Sequence, residues 1–282
     1  MNDAISPTIG VFDSGFGGLT VLRALVARLP DAQFAFLGDT ARLPYGSKSR
    51  RTIARYAAES AQFLVREQGA EFLVIACNTA SALALDAIQD AVSVPVLGVI
   101  EPGASAARAA SRTGDVLVIA TDATVQSHAY SAACRAHGLR TIEKACPLLV
   151  PLVEEGWIDH LVTAEVIRIY LNELTAEAAA AGLHPDTLVL GCTHYPLLRP
   201  LIESVIAGSV AGNIQVIDSA EATAETAASL LGQKAGKAIS QDSPSAKPLR
   251  CFATDSVEKF ERLGSRFLGR PVGKVELVDL GG

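Results

Sequence analysis

The sequence predicts an α/β fold built from two similar halves, and three observations carry this prediction. The 282 residues exceed the usual size of a single hydrophobic core. Short apolar runs alternate with Ala- and Leu-rich segments of helical periodicity, which is typical of mainly parallel sheets flanked by helices. Two pairs of similar segments also recur at nearly constant offsets along the chain, which favours a duplication.

The candidate strands are short apolar runs bounded by turn residues. They lie at 9–12, 33–37, 72–75, 96–99, 116–120, 188–190, 214–217, 250–253 and 275–278. Helices are expected to follow polar residues that cap helix N termini, such as Thr79, Thr124 and Ser219. Residues 232–248 mix Gly, Ser, Pro and Lys without an apolar face, which predicts a flexible loop.

The two pairs of similar segments place functional turns at matching points. IGVFDSGFGG from position 9 resembles VLVIATDATV from position 116, and FLVIACNTASALALDAIQ from position 72 resembles TLVLGCTHYPLLRPLI from position 187. Each segment runs from an apolar strand into a polar turn, and ligands of α/β sheets bind at such carboxyl ends of strands. Two such sheets facing each other would share one cleft.

Composition argues against several classes of protein. The net charge is −6 and the basic residues are scattered, so nucleic acid is not expected as the main partner. No apolar stretch is long enough for a membrane span and the first residues lack the features of a signal peptide, so we expect a cytoplasmic protein. The five cysteines are odd in number and widely spaced, which argues against a disulfide framework.

Cys77 and Cys192 are the candidate reactive groups. Each follows a strand and precedes a helix start, where unpaired N–H groups favour a thiolate. The alternatives are two buried structural cysteines, a zinc site and a redox pair. The short paired spacings of zinc ligands and the C-x-x-C motif are both absent around them, so no metal is expected. The remaining three cysteines are interpreted as structural.

Two single thiols on facing halves would flank one small molecule. Groups that exchange protons on opposite faces of one carbon can remove a proton on one side and return it on the other, which is stereoinversion. A thiol suits this task because its pKa of about 8.5 lies near neutrality. Polar residues surround each thiol and could bind the substrate: Asn78, Thr79, Ser81, Thr193 and His194.

Three further segments carry polar groups. DSGFGGLT at 13–20 lacks the glycine spacing of a dinucleotide site and is interpreted as a tight turn that presents Asp13 and Ser14. GDTARLPYGSKS at 38–49 is a polar loop around Tyr45. PLLVPLVEEG at 147–156 places Glu154 on a short amphipathic turn, where a solvated carboxylate is the ordinary interpretation.

Taken together, DSGFGGLTV, GDTARLPYG, ACNTASA, CPLLVPLVEEG and GCTHYPLL resemble the motifs of the glutamate racemases, in the wider family of cofactor-independent amino-acid racemases, over positions 8 to 225. The resemblance implies two pseudo-symmetric domains with the active site between them, in a homodimer. It implies that Cys77 and Cys192 are catalytic, supported by Asp13 beside the first thiol and by Glu154 with His194 beside the second.

The resemblance also implies substrate contacts, domain limits and a role. The contacts carry over to Asp13, Ser14, Tyr45, Gly46, Asn78, Thr79, Thr121, Thr124, Thr193 and His194. The first domain would comprise 1–99 and 212–282 and the second 100–211. The implied reaction interconverts L-glutamate and D-glutamate for peptidoglycan synthesis, without pyridoxal phosphate or metal. The chain departs from the family pattern at ATDAT, where a glycine is expected, and at 232–248.

Other functions remain open at this point. The two-base chemistry is indifferent to side-chain length, so aspartate or another amino acid is an alternative substrate. A two-lobed binding module would bind glutamate without exchanging its α-hydrogen. A pyridoxal enzyme would need a lysine in the site, and neither cysteine motif contains one.

Overall fold

The computed structural model describes residues 7–208, 214–232 and 249–281. Within these ranges ten strands alternate with twelve α-helices. The strands are β1 (Thr8–Asp13), β2 (Gln33–Gly38), β3 (Phe72–Ile75), β4 (Val96–Gly98), β5 (Asp115–Ala120), β6 (Arg140–Ala145), β7 (Thr187–Gly191), β8 (Gln215–Asp218), β9 (Leu249–Ala253) and β10 (Val275–Leu277).

The α-helices fill the connections between the strands. They are α1 (Leu19–Arg28), α2 (Arg50–Arg66), α3 (Asn78–Leu83), α4 (Leu85–Ala91), α5 (Ile100–Ala110), α6 (Asp122–Ser127), α7 (Ala129–Ala136), α8 (Leu149–Glu154), α9 (Leu161–Ala180), α10 (Arg199–Ala207), α11 (Ser219–Leu230) and α12 (Val257–Leu268). None of the helices in the described ranges combines the length and apolar character that a bilayer crossing requires.

The strands form two parallel sheets with a shared internal order. The first sheet runs β10-β9-β2-β1-β3-β4 and the second runs β6-β5-β7-β8. In each half, the first four strands in sequence are therefore arranged as second, first, third, fourth. This confirms the predicted α/β fold with two similar halves, because β1 matches β5 and β3 matches β7 in both sequence and position.

All nine predicted strands are present, and β6 is the strand that the sequence analysis missed. Its sequence RTIEKA contains two basic residues and one acidic residue, and its side chains are exposed or half-buried. It lies at the edge of the second sheet, where β5 is its neighbour on one side and no described strand pairs with the other side. An edge strand of this kind lacks the continuous apolar run that marks a buried strand of a parallel sheet.

The helix starts lie close to the predicted positions, but the capping residues differ. α3 begins at Asn78 with Cys77 as its N-cap, and the Cys77 sulfur accepts a hydrogen bond from the Ala80 N–H at 3.4 Å. α11 begins at Ser219, and the Asp218 carboxylate accepts from the Ala220 N–H at 2.9 Å. α6 begins at Asp122, two residues before the predicted Thr124.

The division into domains at 99 and 212 stays a prediction, and strand pairing gives one observation about it. β8 pairs with β7 in the second sheet, in register from Thr187 opposite Gln215. By pairing alone, the chain therefore leaves the second sheet after Asp218, later than position 212, and its next strand in the first sheet is β9. Position 212 and, apart from Gly232, the predicted loop at 232–248 lie outside the described residues.

Candidate active site

A cavity of about 430 Å³ lies between the two halves, and both predicted thiols line it. Its walls come from turns that follow strands of the first sheet, turns that follow strands of the second sheet, and helix α12. The lining residues are Ser14, Leu43, Pro44, Tyr45, Gly46, Ser47, Cys77, Asn78, Thr79, Thr121, Asp122, Pro147, Val150, Pro151, Glu154, Cys192, Thr193, His194 and Lys259. A larger surface groove of about 870 Å³ between α9 and α10 contains none of the predicted site residues.

The structure brings the predicted site residues together, although their roles stay predictions. Every one of them lines the cavity except Asp13 and Thr124. Asp13 is buried at the end of β1, and Thr124 is buried in α6. Ser81, named among the polar residues near the first thiol, instead donates to the Ile75 carbonyl at 2.8 Å and therefore ties α3 to β3.

Cys77 lies between the end of β3 and the start of α3. The sulfur accepts from the Ala80 N–H and its thiol donates to the Ser14 hydroxyl at 3.4 Å. The sequence predicted that a helix start would favour the thiolate. Instead, burial raises the pKa of Cys77 to about 12, the charge of Asp13 adds to this, and the hydrogen-bond contacts with Ser14 and Ala80 do not offset it. Cys77 is therefore a neutral thiol near pH 7.

Asp13 sits behind this thiol with one oxygen unpaired. Its Oδ2 accepts from the Gly15 N–H at 2.9 Å, while its buried Oδ1 has no hydrogen-bond partner among the described residues. Burial raises the pKa of Asp13, and the cationic His194 and the N–H groups of Gly15 and Gly18 oppose that rise. An unpaired carboxyl oxygen close to a protonated thiol is suited to exchange a proton with it.

Cys192 lies between β7 and a short 3-10 helix, with a histidine beside it and a carboxylate beyond the histidine. After β7 the chain bends, and the short 3-10 helix Tyr195–Leu198 precedes α10. The Cys192 sulfur lies 4.0 Å from His194 Nδ1. His194 Nε2 lies 3.4 Å from Glu154 Oε1, an ion-pair distance without hydrogen-bond geometry. The sulfur, the imidazole and the carboxylate thus form a chain of consecutive contacts within the second half.

These contacts keep His194 protonated. Burial by itself lowers the pKa of His194, but the contacts with Cys192 and Glu154 outweigh it and raise the pKa to about 10. Burial raises the pKa of Glu154, and contacts with His194 and Lys259 outweigh it, so that the pKa is lowered overall. An imidazolium therefore faces the Cys192 sulfur at neutral pH.

The loop after β2 forms one wall of the cavity through Tyr45. The Tyr45 hydroxyl donates to Asp39 Oδ2 at 2.5 Å, and Asp39 also accepts from Arg42 Nε and from the Thr254 hydroxyl. Arg42 contacts Glu59 in turn. Burial and the neighbouring Asp39 raise the pKa of Tyr45, so its hydroxyl remains a hydrogen-bond donor. The network fixes the ring of Tyr45 against the cavity.

Three hydroxyls from the two halves meet on another wall. Thr79 Oγ1 lies 3.0 Å from Thr121 Oγ1 and 3.3 Å from Thr124 Oγ1, and the last two are 2.9 Å apart. Beside them the Asn78 amide oxygen accepts from the Tyr130 hydroxyl at 2.7 Å. That bond orients the Asn78 amide. Since hydroxyl groups donate and accept, this cluster suits a carboxylate or an ammonium group.

The cavity contains residues that the sequence analysis did not identify, and Lys259 is the most prominent. Its ammonium lies 3.0 Å from Glu154 Oε2. Lys259 stands on α12, beyond positions 8 to 225, which contain the motifs of the sequence analysis, and no local motif marks it. Asp122, Pro147, Val150 and Pro151 were also missed, although they adjoin the motifs around Thr121 and Glu154.

No group of three or more His, Cys, Asp and Glu side chains in the described ranges is arranged to hold a metal ion. The five cysteines are all free and buried. The fold and the cavity thus define a class of protein: two similar α/β halves that each present one thiol, with acidic and imidazole neighbours, to a common cleft.

Comparison with known proteins identifies the family. A family model described as Asp/Glu/Hydantoin racemase matches residues 9–227. A glutamate racemase from Koribacter versatilis is 54% identical, over 98% of this chain and 98% of its own. The structure of glutamate racemase isoform RacE1 from Bacillus anthracis has a TM-score of 0.85 at 37% identity, over 98% of both chains. That of the Francisella tularensis glutamate racemase in complex with D-glutamate has a TM-score of 0.82 at 34% identity, over 98% of both chains.

The chain belongs to the Asp/Glu/hydantoin racemase family, in which these glutamate racemases are its relatives over nearly their whole length.

Proposed function

We propose that this protein interconverts L-glutamate and D-glutamate by moving the α-proton between two cysteines. The single observation that supports this most is that Cys77 and Cys192, from matching positions in the two halves, line one cavity. Relatives named glutamate racemase at 45 to 54% identity agree with glutamate as the substrate. The Francisella tularensis relative was solved with D-glutamate.

The two sulfurs take opposite roles in one turnover. One thiolate accepts the α-proton as the Cα–H bond breaks, and the electron pair of that bond remains on the substrate as a carbanion conjugated with its carboxylate. The other thiol then donates its proton to the opposite face of the same carbon. The product is the mirror-image amino acid, and the protonation of the two sulfurs is exchanged.

The two thiols have different surroundings in the cavity. Cys77 has a raised pKa and is a proton donor at neutral pH. The Cys192 sulfur faces the protonated His194 imidazole at 4.0 Å. Asp13 behind the first thiol and Glu154 with His194 beside the second would restore each sulfur to its starting state.

The polar wall residues would hold the substrate in the orientation that the reaction needs. We assign this role to Ser14, Tyr45, Gly46, Asn78, Thr79, Thr121 and Thr193, with Asp13, Thr124 and His194 in support. Hydrogen bonds to the α-carboxylate stabilise the negative charge that develops on it, and a site that excludes water strengthens them.

Solvent deuterium tests the reaction, the substrate and the two thiols together. In deuterated water the protein is expected to incorporate deuterium at the α-carbon of both enantiomers of glutamate. Cys77→Ala and Cys192→Ala should each abolish racemisation, since one proton-transfer partner is missing. Cys134→Ala is the matched control, because Cys134 is equally buried but lies outside the cavity. Full racemisation by both single variants would reject the two-thiol mechanism.

The alternatives are separated by simple measurements. A panel of acidic and neutral amino acids followed by polarimetry distinguishes glutamate from aspartate or another substrate. A binding module would hold glutamate without deuterium exchange. A pyridoxal enzyme would show a yellow absorption band that borohydride removes.

We further propose a cytoplasmic homodimer that supplies D-glutamate for peptidoglycan. Five free cysteines suit a reducing compartment. Large apolar side chains are exposed around α8 and α9, including Leu148 at 54% and Leu161 at 87%, and such patches are typical of protein contacts. Light scattering during gel filtration tests the dimer. Rescue of a bacterial D-glutamate auxotroph tests the role.

A further inference from the structure

A chain of charged contacts crosses the cleft and ends on the second thiol. Lys259 Nζ lies 3.0 Å from Glu154 Oε2, and Glu154 Oε1 lies 3.4 Å from His194 Nε2. His194 Nδ1 lies 4.0 Å from the Cys192 sulfur. The two oxygens of one carboxylate are thus divided between a lysine and a histidine.

The lysine and the carboxylate belong to different halves. Lys259 stands on α12, which follows β9 of the first sheet and packs against α1 and β10. Glu154 is the last residue of α8, which follows β6 of the second sheet. α12 also closely approaches the residues after α8, since a Cβ added at Gly156 would lie 2.5 Å from the Arg266 guanidinium.

Helix α12 contacts the histidine as well as the carboxylate. The ring of Phe267 meets the His194 ring edge to face, with centroids 5.0 Å apart. Phe16 lies 6.0 Å from the same imidazole, and the Lys259 ammonium is 5.6 Å from the Phe16 ring. One helix of the first half therefore packs on the imidazole and pairs with its counter-ion.

Glu154 depends on a partner to keep its position. Its side chain is 21% exposed and stands at the end of a one-and-a-half-turn helix, so water is within its reach. Its contact with His194 lacks hydrogen-bond geometry and does not by itself fix the orientation of the carboxylate. The contact with Lys259 supplies a hydrogen bond at 3.0 Å and holds the other oxygen. A charge-assisted bond of this kind is directional.

We propose that Lys259 is a positioning residue that holds Glu154 against His194 and so keeps the imidazolium beside Cys192. It acts through Glu154 and His194, and nothing in the comparisons or the motifs assigns it a role. The proposal deepens the proposed racemase function and rests on it for its effect on turnover, but the coupling between the lysine and the histidine does not depend on turnover.

The charged groups around His194 agree with a chain of contacts from Lys259 through Glu154 to His194. His194 faces Cys192 and Thr193 on its own turn, Glu154 from α8 and Asp13 from β1. Lys259 is the basic residue nearest to Glu154 and, among the described residues, the one Lys or Arg that lines the cavity. Its contact contributes to the lowered pKa of Glu154, and Glu154 contributes to the raised pKa of His194.

The first test follows the histidine directly. Lys259→Met keeps an unbranched apolar side chain and removes the charge, whereas Lys259→Arg retains a cation. Titration of ring-labelled histidine by NMR, with the His194 signal assigned from its absence in His194→Asn, should show a midpoint lower by about one pH unit in the Met variant. The Arg variant should stay near the unchanged protein. An unchanged midpoint in the Met variant would overturn the proposal.

A matched control removes a second lysine that has similar contacts. Lys144 pairs with Glu173 at 2.9 Å and with Glu177 at 2.6 Å, away from the cavity. Lys144→Met should leave the His194 midpoint unchanged. Loss of a lysine charge by itself would raise a histidine midpoint, so an equal downward shift in this variant would mean that the effect is not specific to the contact between Lys259 and Glu154, and it would also overturn the proposal.

The second test follows turnover. For Lys259→Met we expect kcat/KM for glutamate to fall about tenfold, less than the hundredfold or more that loss of a general acid–base group causes. The alkaline limb of the pH profile should move to lower pH, and Lys259→Arg should restore most of the loss. A rise in KM alone with an unchanged His194 titration would show that Lys259 binds the substrate instead. If the unchanged protein does not racemise glutamate, the proposed function fails, while the NMR titration still decides the coupling.

Discussion

At the residue scale, the two cavity cysteines have different surroundings. Cys77 caps a helix, contacts Ser14 and has a raised pKa because it is buried near Asp13. Cys192 precedes a short 3-10 helix and faces a protonated histidine. A two-base reaction needs one protonated and one deprotonated sulfur at the start of each turnover. The two equal residues therefore have unequal neighbours in the cavity.

The raised pKa of His194 predicts a fall in stability with rising pH. The pKa is about 10 in the folded protein, against 6.5 for an ordinary histidine, so the folded state binds the proton more tightly. The stabilisation is complete below the unfolded value near 6.5 and is lost as the pH rises toward 10. The free energy of unfolding should fall by on the order of 1 kcal/mol per pH unit over this window. Urea unfolding at several pH values measures it.

His194→Gln is the control for that prediction, because it removes the titrating group. Its stability should depend less on pH between 6.5 and 9. Above pH 9 both proteins should lose stability, since burial also raises the pKa of Cys77 and Cys251 above the value in an unfolded chain. Identical profiles for the two proteins between 6.5 and 9 would contradict the assignment to His194.

At the scale of elements, the site depends on how closely two turns approach. The turn between β1 and α1 passes directly against the turn after β7. The Thr20 hydroxyl donates to the Gly17 carbonyl at 3.0 Å and lies 3.4 Å from the Thr193 carbonyl. A side chain at Gly17 would occupy the space of the second cysteine motif. Glycine is therefore needed here for close approach rather than for an unusual backbone angle.

Gly17→Ala is expected to lower kcat/KM and to lower the free energy of unfolding moderately. The added Cβ would lie 2.4 Å from Thr193 Oγ1 and 2.7 Å from His194 Nδ1, so these side chains must move. We expect kcat/KM to fall at least tenfold and stability to fall by about 1 to 3 kcal/mol, as for other overpacked sites. Racemisation assays and chemical denaturation measure the two effects.

Gly208→Ala provides the comparison for Gly17→Ala. Gly208 is the C-cap of α10, and among the described residues its added Cβ would lie no closer than 3.6 Å to another atom. Its activity and stability should remain close to those of the unchanged protein. An active Gly17→Ala protein with unchanged stability would show that the two turns can separate without consequence.

At the scale of the whole molecule, the cavity joins two halves that each have their own sheet. The hydroxyls of Thr79 in the first half and of Thr121 and Thr124 in the second are in contact at its wall, and Lys259 of α12 contacts Glu154. A ligand in the cavity therefore contacts both halves, and binding free energy adds to the stability of each. The same arrangement allows the two sulfurs to approach one carbon atom from opposite faces.

Glutamate should stabilise the protein as a whole. At a concentration one hundred times its Kd, racemic glutamate is expected to add about 2.7 kcal/mol to the free energy of unfolding and to raise the melting temperature by a few degrees. Scanning calorimetry with glutamate, aspartate and alanine measures this, and alanine is the control because it lacks the second carboxylate. Equal effects of all three would contradict a glutamate-specific cavity.

The sequence by itself determined most of the fold and the core of the candidate site. Apolar runs and polar turns are local patterns, and they identified nine of the ten strands in the described ranges and the turns that carry Cys77 and Cys192. The repeated segments indicated the two halves, because a duplicated fold retains its pattern of strands and turns. The cavity gathers the predicted residues except Asp13 and Thr124, which lie behind its walls.

Only the tertiary structure decided the rest. β6 is a polar edge strand, which its pairing with β5 identifies and its amino-acid sequence does not. The pKa of Cys77 depends on burial by distant segments, which overrides the local effect of the helix start. Lys259 reaches Glu154, 105 positions away, because α12 packs beside the cleft. Such contacts join segments far apart in the chain, so no window of neighbouring residues contains them.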